Sequence, residues 1–289
     1  MNKPFVIYAF ILCSIVNICH AKNFQPLLEF EVSKLRSVTQ GIPNHNCSQF
    51  QTNGFPVATD KTIVNRSYYT CRSGYATQYD PVEKSPVWTA EHLTAATLKG
   101  NASRSELSFV QDPDIPRRSV ANDYDFSRSG FQRGHLAPAG NFKNDQLAMN
   151  ESFFYTNAVP QAPRHNMHIW NYLEAATREI ATRRGELFVI TGPVYTSNPR
   201  KKIGANVSVP DALYKVLIDP RTNEMTAFLI PNSDDVGDDF NKFQMSVRNL
   251  EKLAAINFNP ELNRKLSDKS EVSGGDWVMP RSRKRNRDS

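Results

Sequence analysis

The chain has 289 residues, 39% of them hydrophobic and 22% charged. These values exclude an intrinsically disordered polypeptide and leave room for one large domain or two small ones, with a core that needs no staples to fold. The formal net charge of +6 suits a polyanionic partner without specifying one.

Lys3 precedes an almost wholly apolar run from Phe5 to Ile18, and Cys19-His20-Ala21 ends on a small residue before Lys22. This pattern predicts a secretory signal peptide over residues 1–21, cleaved after Ala21. The run is short for a membrane span, and an uncleaved anchor is the alternative. The expectation is a secreted or periplasmic protein with no stable membrane association after cleavage. Lys3 is the only charged side chain lost, which lowers the net charge by one. Cleavage also removes Cys13 and Cys19. Two cysteines in an exported chain predict one disulfide, Cys47–Cys71, tying together an amino-terminal excursion.

Residues 22–67 are mixed in composition, with a short helix expected over Val32–Val38. Tyr68–Cys71 and Tyr75–Tyr79 read as a strand pair around Arg72-Ser73-Gly74, and Pro86–Ala90 reads as another strand. Ser103–Tyr124 is polar, carries both charges and is broken by Pro113 and Pro116, which predicts an extended loop over the surface. Ile169, Tyr172, Leu173, Ala176 and Ile180 recur at helical spacing from His168 to about Arg183. Leu187–Thr191, Tyr214–Ile218 and Met225–Ile230 are apolar runs bounded by Gly, Pro or Asn, and each reads as a strand. Asp219–Glu224 joins the last two as a hairpin. A second helix is expected from Asp239 to about Ala255, started by Asp238-Asp239. The tail Pro280–Ser289 holds five cations and one acid. It reads as a solvated end, with nonspecific phosphate affinity as the alternative. One mixed α+β domain is the simplest account.

The residues with chemistry lie in Gln132-Arg133-Gly134-His135 and in the stretch that follows. Phosphodiester hydrolysis needs a base for water, a cation on the phosphoryl oxygens and help for the leaving alkoxide. An imidazole ordinarily titrates near neutral pH, which makes His135 a credible base. Gly134 allows either close backbone approach or an unusual dihedral. Asn166, Trp170 and Glu174 are spaced by four, so they line one side of the predicted helix. That row offers an amide oxygen and a carboxylate above a packed indole. Mg²⁺ favours oxygen ligands and keeps several of its waters. An ordinary amphipathic helix with a capping Asn and an exposed Glu fits the same spacing. His165 and His168 have no Cys or further ligand nearby to complete a zinc set, and His92 reads as scaffold.

The segment from Asp123 to Glu174 resembles the DNA/RNA non-specific endonuclease family, which includes bacterial secreted nucleases and mitochondrial endonuclease G. The family signature Asp-Arg-Gly-His reads here Gln132-Arg133-Gly134-His135. Thr156–Gln161, then Asn166, Trp170, Leu173 and Glu174, match its second block. Pro86–Thr94, Asp123-Tyr124, Ser129–Phe131 and Thr191–Tyr195 extend the likeness to about Tyr68–Ala255. The resemblance implies an α+β, ββα-metal nuclease fold, with His135 on the β-hairpin and Asn166 on the helix. It makes His135 the general base and Asn166 the direct ligand of Mg²⁺, Mn²⁺ or another divalent cation. Glu174 would act through a metal-bound water, and Asn157 would position the phosphate or the site. Arg104 would bind phosphate, and Arg133 would be structural or phosphate-facing. Gln132 departs from the pattern, and loss of the acid predicts an altered metal response. DNA and RNA are the implied substrates, and a homodimer is left open. The domain reading is residues 1–21 signal peptide, 22–279 one nuclease domain with an amino-terminal extension, and 280–289 basic tail. Two rivals remain: a nucleic-acid-binding protein that lost catalysis through Gln132, and a surface interaction protein using the tail.

Overall fold

A computed structural model describes residues 39–40, 45–262 and 277. The chain divides into units 1–35 and 36–289, and the first lies outside the described residues. So do residues 1–21, read as a signal peptide, the expected helix over Val32–Val38 and the basic tail.

The second unit is built on an antiparallel sheet of eight strands. In chain order these are β1 (Thr39–Gln40), β2 (Tyr68–Cys71), β3 (Tyr75–Asp80), β4 (Ser85–Thr94), β7 (Glu186–Val194), β8 (Ala212–Ile218), β9 (Met225–Pro231) and β10 (Gln244–Met245). Spatial order follows chain order throughout. Between β4 and β7, β5 (Gln132–His135) and β6 (Ala158–Gln161) pair with each other instead, Gln132 opposite Gln161 and His135 opposite Ala158. The α-helices are α1 (Lys61–Arg66), α2 (Asp123–Phe126), α3 (Gln146–Glu151), α4 (Asn171–Arg184) and α5 (Val247–Ala254). The order β5, β6, α4 is the local unit that carries the site.

Both faces of the main sheet are covered, which explains why its central strands read as continuous apolar runs. Phe188 and Ile190 of β7 face a core shared with Trp88, Val216 and α5 residues Val247 and Leu250. The alternate residues Leu187 and Val189 face Leu173, Ala176 and Ile180 of α4. Trp277 joins that second core, with the Arg184 guanidinium 4.0 Å from its ring centroid.

Two expected elements differ. The helix from Asp239 is divided into a 3-10 turn (Phe240–Phe243), strand β10 and α5. Asp239 does cap, but it caps the turn, and Ser246 caps α5. The reason is packing: Phe240 is buried against Phe228, and β10 closes the sheet edge along β9. The Ser103–Tyr124 excursion is not confined to the surface. Asp112, Ile115, Val120 and Ala121 within it are buried.

Arg72 draws that excursion inward. Its side chain is fully buried, donating to Asp112 Oδ1 at 2.5 Å and to Asp114 Oδ2 at 2.6 Å, with Phe154 stacked 5.1 Å away. Thr156 Oγ1 donates to the other Asp112 oxygen at 2.6 Å. The preceding residue, Cys71, is disulfide-bonded to Cys47. Arg72→Met would leave two acids under the sheet without their cation. We expect a loss of about 3–5 kcal/mol in denaturant unfolding, and an unchanged midpoint would refute the anchoring role.

Candidate active site

Strand β5 presents its four residues to different neighbours. Gly134 lies against the side chain of Gln161 on β6. A Cβ at position 134 would stand 1.8 Å from Gln161 Oε1 and 2.7 Å from Gln161 Cβ. Gln161 cannot move aside freely, because it is buried and its Nε2 lies 2.6 Å from His165 Nδ1. Of the two sequence-level reasons for this glycine, close approach is the operative one; its φ is not positive.

His135 sits between two rings, Phe109 at 4.6 Å and Phe153 at 4.8 Å, the latter edge-on. Burial, helped by the charge of Arg104, pushes its pKa down to about 3. The imidazole is therefore neutral at physiological pH. Among the described residues its Nε2 has no hydrogen-bond partner, which leaves that nitrogen open to accept a proton, while the same burial makes it a weak base. Arg104 is exposed and stacks its guanidinium 5.9 Å over Phe153, which brings it to the His135 side of the site.

Asn157 is fully buried and spends its amide on backbone. Its Oδ1 accepts from Ala137 N at 2.9 Å, and its Nδ2 donates to Ala137 O and Ser152 O, each at 2.8 Å. It fixes the chain just after His135 rather than facing a substrate. Arg133 is braced from two sides, donating from Nε to Tyr155 Oη at 2.8 Å and from Nη2 to Asp123 Oδ1 at 2.6 Å.

Gln132 reaches the helical side of the unit. Its Oε1 accepts from Asn166 Nδ2 at 2.8 Å, and its Nε2 lies 3.5 Å from Met167 Sδ. Engaging the NH₂ end of Asn166 leaves Asn166 Oδ1 as the atom for a further ligand. Asn166 belongs to a π-helical turn, His165–Trp170, that leads directly into α4. Such wide turns recur at functional sites. Trp170 packs beneath, while Asn166 and Glu174 are half-buried.

Behind Glu174 lies a layer of buried charge that sequence reasoning left without a role. Lys215 Nζ donates to Thr191 Oγ1 at 2.7 Å and stands 5.1 Å from the Trp170 ring centroid. Glu91 Oε1 accepts from Asn141 Nδ2 at 2.8 Å, and Arg178 Nη1 donates to Asn141 Oδ1 at 3.2 Å. Burial raises the pKa of Glu174 and of Glu91, against the pull of Lys215 and Arg178. Burial likewise lowers that of Lys215, against both acids. Arg178 was discoverable, since it continues the four-residue series from Glu174.

Among the described residues, no three His, Cys, Asp or Glu side chains converge on one point. The donors at hand are the Asn166 amide and the Glu174 carboxylate. This oxygen pair fits a hard cation that keeps most of its water. It does not fit zinc: His165 stacks on Trp170 and bonds Gln161, while His168 turns towards Tyr172.

The sequence profile of the family described as DNA/RNA non-specific endonuclease matches residues 48–265. The human protein "Nuclease EXOG, mitochondrial" is 36% identical over 212 residues, covering 67% of this chain and 57% of that protein. The human "Endonuclease G, mitochondrial" is 30% identical over 220 residues, covering 71% of this chain and 73% of that protein. The crystal structure of an EndoG/EndoGI complex aligns with a TM-score of 0.63 at 32% identity, covering 68% of this chain and 88% of that chain. The chain thus spans under two thirds of the length of the human EXOG protein it matches. These relatives overturn the expectation of a secreted or periplasmic protein, because EXOG and endonuclease G both carry a mitochondrial designation.

Gly134→Ala should force β5 from β6 and lower stability by roughly 1–3 kcal/mol, read as a fall in Tm; Gln161→Ala in the same chain should restore part of it. The depressed pKa of His135 sets a pH dependence. In the unfolded chain the ring binds a proton below its ordinary value of 6.5, whereas the folded ring refuses it down to about 3. Its contribution is therefore complete above 6.5 and is lost as pH falls through that window. Unfolding free energies between about pH 5 and pH 7 should rise less steeply with pH in His135→Gln than in the unaltered protein.

Proposed function

The chain belongs to the DNA/RNA non-specific endonuclease family, and on that premise we propose that it is a metal-dependent endonuclease hydrolysing phosphodiester bonds in DNA and RNA. The reading assigns residues 22–279 to one nuclease domain and 280–289 to a basic tail. The mitochondrial designation of EXOG and endonuclease G supports a mitochondrial setting.

The observation that carries the reading is the Gln132–Asn166 hydrogen bond at 2.8 Å, on the same strand as His135. An acid at position 132 would accept from the Asn166 NH₂, and the neutral amide accepts from it equally. The departure from the family signature therefore removes a charge but keeps the orientation of Asn166. Asn166 would hold the ion directly and Glu174 through a water. Mg²⁺, Mn²⁺ or a similar ion would, when bound, offset charge on the phosphoryl oxygens and on the leaving alkoxide.

The protein's own groups do the rest. His135 Nε2 takes a proton from the attacking water, and the two phenyl rings keep bulk solvent from competing for that nitrogen. Asn157 holds the chain beyond His135 so that the ring keeps its place. Arg104 offers a guanidinium to the phosphate on the same side. Arg178, oriented by Asn141, adds a cation beside Glu174.

Purified protein should degrade both DNA and RNA in Mg²⁺ or Mn²⁺. His135→Ala should lower the rate by about two to four orders of magnitude. Gln132→Leu should weaken metal activation while leaving the fold intact by circular dichroism. Unaltered protein that leaves both polymers uncut across metals and pH would overturn the proposal.

A further inference from the structure

We propose that Tyr124, Arg128 and Lys201 form a track beside strand β5 that holds an unpaired strand of nucleic acid flanking the scissile phosphate. This rests on the endonuclease reading above and assigns its substrate contacts beyond the reacting centre.

The track begins on α2. Asn122 and Asp125 close that short helix as a reciprocal capping box. Asp123 Oδ1 ties it to β5 by accepting from Arg133 Nη2 and Tyr155 Oη, each at 2.6 Å. Tyr124 therefore stands on a fixed turn next to Arg133, yet it is 90% exposed. A single exposed apolar side chain needs no explanation. The surroundings of this one do.

Arg128 follows at the end of α2 with a left-handed backbone, φ 53°, where glycine or asparagine would be easier. From the other side, the segment around residue 204 packs on α2, with Ala205 N donating to Asp125 Oδ1 at 2.5 Å. That packing carries Lys201 to Phe131, its Nζ 4.5 Å from the ring centroid. Phe131 is the residue before Gln132, so Lys201 lies one position from the motif strand.

The local acids do not neutralise these cations. Asp123 is taken by Arg133 and Tyr155, and Asp125 by backbone N–H groups of Asn122 and Ala205. Of the triplet Arg200-Lys201-Lys202, Glu83 pairs with the outer two, at 2.9 and 3.0 Å. Lys201 and Arg128 have no acidic partner among the described residues. Two exposed cations without acidic partners and an exposed phenol, carried on segments tied to β5, match a polyanion that also carries flat π-faces. Phosphates suit the cations, and an unstacked base suits the ring.

Binding of fluorescent single-stranded oligonucleotides tests this, using His135→Ala protein or the unaltered protein in chelator so that no cutting occurs. Lys201→Ala and Arg128→Ala should each reduce the slope of log affinity against log salt by about 0.7. Tyr124→Ala should weaken binding roughly tenfold, with Tyr124→Phe restoring it. In protein that retains His135, the same changes should alter hydrolysis of bis(p-nitrophenyl) phosphate less than about twofold. Unchanged oligonucleotide affinity and salt slope in the triple variant would overturn the track while leaving the endonuclease reading intact. Equal losses on the small diester and the oligonucleotide would also overturn it, by assigning these residues to the reacting phosphate. Failure of the unaltered protein to cut any nucleic acid would overturn the endonuclease reading instead, and the binding measurement would still decide the track.

Discussion

The ion cluster around Arg72 is the constraint from which the active site is hung. Removing a guanidinium and two carboxylates from water is costly unless each finds its partners, so the cluster tolerates one arrangement. Arg72 leaves the β2–β3 turn, Asp112 and Asp114 sit midway along the long excursion, and Thr156 opens the approach to β6. One buried cation thus fixes three separate stretches of chain at once. With its middle pinned, the excursion must pass over the β5–β6 unit. Phe109 then lies against His135 and Phe153, and Arg104 lies over Phe153. The disulfide at Cys71 fastens the same turn from its other side.

The site that results is electrically layered. Nearest the substrate side are groups kept neutral: an imidazole denied its proton and two facing amides, Gln132 and Asn166. Fixed charge is buried behind Glu174, where Glu91 and Lys215 on strands β4 and β8 act on each other and on the half-buried Glu174 and Arg178. In such a low-dielectric layer each charge acts strongly on its neighbours. The neutral residue at position 132 makes the front layer less negative than the family signature would.

Apolar periodicity carried the sheet, since strands buried on both faces write themselves as unbroken runs such as Leu187–Val189. His135, Asn166 and Glu174 stood out as candidates in the sequence because each is a residue type with a chemical role. Burial of polar groups was not. Arg72 and Asp112 look like surface residues in any composition count, and only their mutual contact takes them inside. For the same reason the sequence left open whether Asn157 positions the phosphate or the site, and its amide is taken up by the backbone of Ala137 and Ser152. The single Asp239 helix failed because Phe240, Phe243, Val247, Leu250 and Leu253 fall on one helical stripe, and that spacing does not reveal that Phe240 packs against Phe228 from a separate turn. The apolar run Phe5–Ile18 led to the expectation of an exported protein, which the mitochondrial designation of EXOG and endonuclease G overturns.

The π-helical turn at His165–Trp170 has a bearing on angle as well as on spacing. A regular helix rotates by about 100° for each residue added. The wide turn takes up extra chain before α4 begins, so it sets the rotational phase at which the whole helix starts. Leu173, Ala176 and Ile180 meet the sheet only at that phase, and Glu174 and Arg178 look along the site only at the same one. Regularising this single turn would leave every side chain in place in the sequence while aiming the helix elsewhere. The local departure from ideal geometry is thus what makes the core-facing stripe and the reactive stripe of one helix compatible.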